Sequence, residues 1–201
     1  MKRNIYVTIF FGILSLNLFA QKNEKINGIY ITGEELINGR ASFIVDCNSR
    51  ANKIRLNDFF NKPYVTVKRN DSTYKFFKKY IYGFRKCNNQ VYRFNNKKEL
   101  LLLNFGEEIL IYHDILPGRT SAGRTNVTNY YFSAGINSPV QTLTMKNLKN
   151  AFPQNKEFHS LIDKNFKYNT DLANYDNINN IYEINWLLKQ TIKNNYSAEK
   201  K

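Results

Sequence analysis

The chain has 201 residues, a formal charge of +14 at pH 7, and aromatic side chains at 15% of its positions. This length suits one domain or two small ones with a buried core, and the aromatic content excludes a disordered secreted tail. The charge predicts attraction to polyanions, but the cations are spread along the chain, which favours a solvated basic surface over a dedicated binding site.

The N-terminus, residues 1–20, has the three parts of a secretory signal peptide. These are Lys2 and Arg3, an apolar run from Ile5 to Leu16, and Leu18-Phe19-Ala20 before the expected cleavage point. The apolar run is shorter than the roughly 20 residues that span a bilayer, so it is interpreted as a signal peptide rather than an anchor. Cleavage removes two cations and leaves 181 residues with a charge of +12. We therefore expect an exported protein, periplasmic or secreted, without a transmembrane segment after cleavage.

Export changes the interpretation of the two cysteines, Cys47 and Cys87. Oxidising compartments allow disulfides to persist, whereas a cytosolic pair would more often be free thiols or metal ligands. A bridge between them would stabilise the fold by about 3 to 4 kcal/mol if it acts through chain entropy. Pairing needs Cα atoms within about 7 Å, so two independent buried thiols stay open as the alternative.

From Ile29 to Ile115, short β-branched and aromatic runs alternate with Asn, Gly, Asp and Pro, which predicts strands and tight turns. The expected strands are Ser42–Cys47, Lys53–Asp58, Tyr64–Lys68, Thr73–Lys78, Leu100–Asn104, Glu108–His113 and Asn129–Ser133. Residues 117–128, PGRTSAGRTNVT, predict a surface loop, because their glycine spacing matches no phosphate-binding motif. Helical patterning is not expected before about Leu143.

After Pro139 the spacing of the apolar residues becomes helical. Thr144 and Asn155 are candidate N-caps of two helices, and a third helix is expected from about Asn179 to Asn194. The apolar stripes of these helices are most economically buried against one another and against one face of the sheet.

The fold class predicted is therefore α+β. We expect an antiparallel β-sandwich or half-open barrel of about seven to nine strands, followed by a small three-helix C-terminal region. The expected domains are the signal peptide at 1–20, the β domain at 21–136, and the helical region at 137–201 packed on the sheet.

The segment Lys78–Phe94, KKYIYGFRKCNNQVYRF, interleaves cations with aromatic rings and predicts a β-hairpin. A turn of two residues, Asn88 and Asn89, would mix rings with cations on both faces. A turn of three residues, Asn88 to Gln90, pairs Phe84 with Phe94 and gathers the rings on one face. The buried face decides the register, so the second pairing is expected, with Tyr80 and Tyr82 on the same side as Phe84.

This register sets Arg85 opposite Arg93. Like charges that face each other across a sheet are unfavourable, so the pair needs an anion, a carboxylate or open water. Arg85 and Arg93 are therefore the candidate ligand-binding residues, for phosphate, sulfate or a sugar acid. A structural or solvated pair is the favoured alternative.

A resemblance supports the compartment and the layout. The order of signal peptide, aromatic β region with YGFR and YRF in a hairpin, YYFS strand, and LTxxNLKxAFxxxxxFxxLxDxxF tail resembles uncharacterised exported proteins of Bacteroidota bacteria. It covers most of the chain after residue 20. The resemblance implies no activity, because none is known for these proteins.

No set of residues forms a recognised catalytic or cofactor motif. The two histidines, His113 and His159, lie at no motif spacing from a nucleophile, and the cysteines and histidines form no close pairs for zinc. Glycoside hydrolysis needs only two carboxylates, so Glu34 with Glu35 and Glu107 with Glu108 stay candidates. We expect no cofactor and no metal site, and an enzyme is the weaker interpretation.

The function expected is that of an exported, non-catalytic binding or scaffolding protein of the cell envelope. Its partner would be an anionic envelope polymer, engaged through a basic face, or another envelope protein. Nucleic acid is not expected, because export removes the usual contact with it. The alternative is a cell-wall or glycan hydrolase, which a polar cleft with two carboxylates roughly 5 to 10 Å apart would favour.

Overall fold

The structure is a computed structural model that describes residues 27–49, 52–56, 62–120 and 123–198. The expected signal peptide, residues 1–20, lies outside the described residues. In the described ranges, none of the helices is long and apolar enough to cross a membrane.

The secondary structure of the described residues consists of short strands, then a long hairpin, then helices. The strands are β1 (Gly28–Tyr30), β2 (Phe43–Ile44), β3 (Lys53–Arg55), β4 (Tyr64–Arg69), β5 (Ser72–Phe77), β6 (Gly83–Arg85), β7 (Val91–Asn95), β8 (Lys98–Leu102), β9 (Ile109–Thr120), β10 (Gly123–Ala134), β11 (Gln141–Thr142), β12 (Tyr175–Asp176) and β13 (Ile181–Tyr182). The α-helices are α1 (Gly33–Ile37), α2 (Met145–Ala151), α3 (Lys156–Asn165) and α4 (Glu183–Ala198), with 3-10 turns at Lys78–Tyr80 and Asn169–Ala173.

Eight strands form one antiparallel sheet in the order β11-β10-β9-β8-β7-β6-β1-β2, and β3, β4 and β5 form a second sheet. A small ribbon pairs β12 with β13. The predicted α+β class, with a large antiparallel sheet and a small helical region, is confirmed.

One face of the large sheet, called the packed face, carries Phe84, Ile111 and Phe132. Toward β1 and β6 this face packs against Val65 and Val67 of the three-stranded sheet. Toward β9 and β10 it packs against the C-terminal helices. Two separate layers therefore share one face of the large sheet.

The opposite face, called the arginine face, carries Tyr30, Arg93 and Tyr112. Leu36 of α1 and Ile136 of the loop after β10 pack over it. The large sheet is therefore covered on both sides, and polar side chains on the arginine face must find partners there.

The two predicted helix caps are confirmed. The Thr144 hydroxyl accepts a hydrogen bond from Asn147 N at 3.1 Å, and the side-chain oxygen Oδ1 of Asn155 accepts one from Phe158 N at 2.9 Å. The third helix begins at Glu183, later than expected, because residues 177–180 form a turn.

The predictions for residues 33–37 and 117–128 were wrong. The short helix α1 was not expected, since five residues are too few for an apolar period; it is capped by Thr32, which accepts from Glu35 N at 3.2 Å. Residues 117–128 were expected to form a loop, but β9 and β10 pair from Ile109–Ala134 up to Thr120–Gly123. A two-stranded ribbon is held by backbone hydrogen bonds, so a polar segment can extend a hairpin that is buried at its base.

Asparagines occupy the tight turns. The non-glycine residues with positive φ in the described ranges are Asn70, Asn89, Asn96 and Asn180, at 52°, 66°, 57° and 51°. Asparagine tolerates the left-handed region better than most residues, because its short side chain can bond locally to the backbone. These asparagines set the registers of the hairpins in which they lie.

Two side-chain amides replace a missing strand beside β9. The ladder between β8 and β9 ends before Ile109. Asn185 of α4, which is buried, accepts from Ile109 N at 2.8 Å and donates to Ile109 O at 2.8 Å. Asn104 accepts from Ile111 N at 2.6 Å and also donates to Ile109 O at 2.8 Å. The helical region is thereby hydrogen-bonded to the sheet.

The two cysteines lie together, as expected for a disulfide. The Sγ atoms of Cys47 and Cys87 are 1.97 Å apart and their Cα atoms 5.6 Å apart. The pair joins the segment after β2 to the turn between β6 and β7, at the edge of the large sheet.

We predict that Asn185→Ala lowers the free energy of unfolding by about 2 to 3 kcal/mol, because it leaves the buried Ile109 N–H without its acceptor. Urea denaturation measures the difference. The control is Asn165→Ala, which removes an exposed amide that donates to Leu161 O. Losses of equal size in the two variants would contradict the role given to Asn185.

Reduction of the Cys47–Cys87 pair is expected to lower the free energy of unfolding by about 3 to 4 kcal/mol, because the sequence separation of 40 residues constrains the unfolded chain. Urea denaturation with and without reductant measures this, with Cys47→Ser/Cys87→Ser as the reductant-insensitive control. Two alkylatable thiols in freshly isolated protein would refute the bridge.

Candidate functional site

The β6–β7 hairpin has a different register from the expected one. Phe84 pairs with Tyr92, and Gly83 pairs with Arg93. The expected pairing of Phe84 with Phe94 was therefore wrong by two residues.

The turn explains the shift. It has three residues, as expected, but they are Cys87 to Asn89, because Lys86 N donates to Gln90 O at 2.9 Å. Asn89, at a φ of 66°, takes the left-handed position that a three-residue hairpin loop requires. Gln90 thus belongs to the strand side of the hairpin rather than to its turn.

A shift of two residues leaves Phe84, Tyr92 and Phe94 on their expected face. The ring of Phe84 lies 4.9 Å from that of Tyr92 and 5.5 Å from that of Phe94, measured between centroids. Tyr80 and Tyr82 do not join them. Tyr80 ends a 3-10 turn that interrupts the alternation before β6, and Tyr82 packs with the core of the arginine face.

Arg93 is held in a network on the arginine face. Its guanidinium donates to the Tyr112 hydroxyl at 3.1 Å, to Ser133 Oγ at 3.1 Å and to Ser138 O at 2.8 Å. Its Cζ lies 4.7 Å from the ring centroid of Tyr82. Burial raises the pKa of Tyr82, and nearby Tyr112 adds to the rise while Arg93 opposes it. Arg93 therefore connects β7 to β9, to β10 and to the loop after β10.

Arg85 has separate surroundings on the same face. It is 4% exposed, pairs with Val91, and has its Cζ 5.8 Å from the ring centroid of Phe105. It hydrogen-bonds the side chain of Tyr30, whose pKa burial raises while Arg85 lowers it. Its Nε has no hydrogen-bond partner among the described residues.

Arg85 and Arg93 therefore lie diagonally on one face and not directly opposite each other. The opposition of like charges that motivated the anion site does not arise, because Gly83 faces Arg93 and Val91 faces Arg85. Anion binding by Arg85 and Arg93 stays a prediction.

The first pair of candidate carboxylates is used locally. Glu35 accepts hydrogen bonds from Ile31 N and from the Ser42 hydroxyl, both at 2.7 Å. Glu34 is exposed and accepts from the Asn137 amide. Hydrogen bonds, first from its own backbone N–H and then from Asn137, lower the pKa of Glu34. A general acid needs a raised pKa, so the environment of Glu34 is opposite to the one that this role requires.

The other glutamate pair borders a mostly apolar cleft of about 250 Å³. Glu107 and Glu108 line it with Phe105, Ile37 and others, and Glu107 accepts from the Asn104 amide at 3.0 Å.

A second cleft, of about 320 Å³, contains Asp176, Glu183 and Trp186. The Asp176 carboxylate accepts hydrogen bonds from the backbone of Ile178 at 2.8 Å and of Asn179 at 3.0 Å. The Asn179 side chain and these backbone groups lower the pKa of Asp176. Its carboxylate therefore stabilises its own turn.

The outward side of the three-stranded sheet forms a surface that we call the basic face. Its positions are Lys53, Arg55, Tyr64, Thr66, Lys68, Thr73, Lys75 and Phe77, and none of these is acidic. Lys53 faces Lys68 directly across β3 and β4. Lys75 faces Thr66 and therefore lies diagonally from Lys68.

Sequence reasoning missed this surface. The alternation of strand β4 marks Val65 and Val67 as inward residues, and both are fully buried. It thereby marks Lys68 as outward, but only the register of β3 on β4 brings Lys53 beside it. No run of cations signals the cluster, because its members come from three strands.

Comparison of the chain with protein families, with curated proteins and with solved structures found no match. The class of protein therefore follows from the fold and its two surfaces. It is an α+β protein with a half-buried arginine network on one side of its large sheet and a basic face on the outward side of its smaller sheet.

We predict that Arg93→Met lowers the free energy of unfolding by about 2 to 4 kcal/mol, because Ser138 O loses its guanidinium donor and the tyrosines lose their cation. Thermal or urea denaturation measures the loss. The control is Arg40→Met, which removes the same charge at an exposed position. If Arg40→Met loses as much stability, the hydrogen bonds of Arg93 contribute nothing to the free energy of unfolding beyond the effect of its charge.

Proposed function

We propose that this protein is an exported, non-catalytic binding protein that engages an anionic polymer of the cell envelope through the basic face. The observation that carries the proposal is the direct opposition of Lys53 and Lys68 on a face whose described strand positions include no acidic residue. Opposed like charges destabilise a sheet pair, and an anion bound between them removes that repulsion.

The local charge supports a polymer rather than a single ion. Residues 62–80 contain six Lys or Arg residues and one carboxylate, Asp71; of the six cations, Lys78 is buried and paired with Glu99, which leaves five. Lys53, Lys68 and Lys75 spread over three adjacent strands, so a chain of anionic groups could contact them in turn. Release of counterions from such a chain favours binding and makes it depend strongly on salt.

The rigidity of the face supports recognition without a large ordering cost. Val65 and Val67 are fully buried between the two sheets and fix the strand that carries Lys68. A binding surface that is already formed loses less conformational entropy when its ligand arrives.

A non-catalytic role is supported by the surroundings of Glu34 and Glu35, the first pair of candidate carboxylates. Glu35 is bonded to Ile31 N and to Ser42, and the pKa of Glu34 is lowered. Export is supported by the expected signal peptide at residues 1–20 and by the Cys47–Cys87 pair, since disulfides persist in oxidising compartments.

We predict that the protein, purified without residues 1–20, binds both polygalacturonate and polyphosphate, with affinity falling steeply between about 50 and 200 mM salt. The variant Lys53→Gln/Lys68→Gln/Lys75→Gln should bind about tenfold more weakly or worse and have a shallower salt dependence. Isothermal titration calorimetry at several salt concentrations measures both quantities.

The matched control is Lys146→Gln/Lys164→Gln/Lys189→Gln, which removes three exposed lysines from the helical region. It has the same net charge as the first variant and should bind within about twofold of the wild type. Equal losses of affinity in the two variants would show that net charge alone causes the binding. Absence of salt-dependent binding would refute the proposed function.

A further inference from the structure

Three aromatic rings form a row at one end of the basic face. The ring centroids of Tyr64 and Phe77 are 6.1 Å apart, and those of Phe77 and Tyr80 are 6.4 Å apart. Phe77 is 47% exposed and Tyr80 is 66% exposed. The row therefore presents apolar ring surface to solvent, outside all three hydrophobic clusters of the described residues.

The position of this row follows from strand pairing and one turn. Tyr64 and Phe77 face each other across β4 and β5, on the outward side. The chain then enters the 3-10 turn at Lys78–Tyr80, which buries Lys78 and leaves Tyr80 outside. The row thus continues the basic face beyond the end of β5.

Lys78 fixes the end of the row. The residue is 3% exposed, and its ammonium pairs with Glu99 of the large sheet and donates to Lys97 O at 3.1 Å. Its backbone N donates to Pro63 O at 2.9 Å. The backbone of the turn that carries Tyr80 is therefore held by both sheets before any ligand binds.

Ammonium groups lie against the same rings. Lys75 Nζ is 5.3 Å from the ring centroid of Tyr64, and Lys79 Nζ is 4.4 Å from that of Tyr80. A second ammonium, Lys62 Nζ, is 5.8 Å from the ring centroid of Tyr64. Rings and cations therefore alternate within the reach of one ligand unit.

We propose that the row Tyr64–Phe77–Tyr80 is a stacking site for sugar rings and that the anionic polymer is an acidic polysaccharide. This inference rests on the proposed function and names the class of its ligand. A pyranose ring has an apolar C–H face that packs on an aromatic ring, and its carboxylate pairs with an adjacent ammonium. An unbranched polyphosphate carries negative charges but no ring. It could therefore pair with the lysines but could not stack on the aromatic row.

Single-stranded nucleic acid also combines rings with negative charge and stacks on aromatic side chains. The acidic polysaccharide is favoured because the expected export takes the protein away from nucleic acid and toward envelope glycans. Binding of oligothymidylate is therefore an outcome of the experiment that would count against the proposal.

The experiment compares three probes of similar length, namely polygalacturonate, polyphosphate and oligothymidylate, with the disulfide-intact protein purified without residues 1–20. Phe77→Ala/Tyr80→Ala should weaken polygalacturonate binding about tenfold or more, on the scale of base stacking on aromatic residues. It should leave polyphosphate binding within about twofold of the wild type, because the cations are retained. Isothermal titration calorimetry measures all three probes.

The control variant is Tyr168→Ala/Tyr175→Ala, which removes two exposed rings from the helical region and should leave binding of polygalacturonate unchanged. An undiminished affinity of Phe77→Ala/Tyr80→Ala for polygalacturonate would overturn the stacking site, as would tighter wild-type binding of oligothymidylate than of polygalacturonate. An equal loss with polyphosphate would assign the effect to charge placement and overturn it too. If the wild type binds neither polygalacturonate nor polyphosphate, the proposed function fails with it.

Discussion

The buried ion pair between Lys78 and Glu99 joins the two sheets of this protein. Lys78 directly follows β5 of the smaller sheet, Glu99 belongs to β8 of the larger one, and the ammonium also lies 5.7 Å from the ring centroid of Phe94. Two charges removed from water are costly unless each finds a partner in good geometry, so the pair tolerates few relative positions of the sheets. The packed face between them, with Phe84 against Val65 and its neighbours, is assembled around that position.

Most of the features that could be predicted from the sequence depend on interactions between residues close together in the chain. Thr144 and Asn155 were identified as helix caps, because a hydroxyl or amide before an apolar stripe has a short-range role that needs no tertiary information. The faces of Phe84 and Phe94 were correct for a similar reason, since alternation in a strand has a period of two. The register was not, because it depends on Asn89 adopting a positive φ, which the Asn-Asn sequence allows at either residue.

The candidate site was harder to predict, because it consists of relations between distant strands. Arg85 and Arg93 were chosen as candidates because the expected register placed them directly opposite each other, which the observed register does not. The same unfavourable geometry occurs instead between Lys53 and Lys68, which no local pattern connects. The continuation of β9 to Thr120 and the beginning of β10 at Gly123 were missed for a different reason. The glycine and proline residues there suggest a loop, but backbone pairing overrides them.

The side-chain amides of Asn104 and Asn185 affect whether copies of this protein can associate through their sheets. Where β8 stops short, the N–H and C=O of Ile109 and the N–H of Ile111 would otherwise be free. Free groups of this kind are the template that another chain needs to add a strand. Side-chain amides can hydrogen-bond to those groups, but they offer no backbone to which a further strand could pair. Asn185 and Asn104 thus end the hydrogen-bond ladder inside the molecule and protect this part of the sheet against edge-to-edge association.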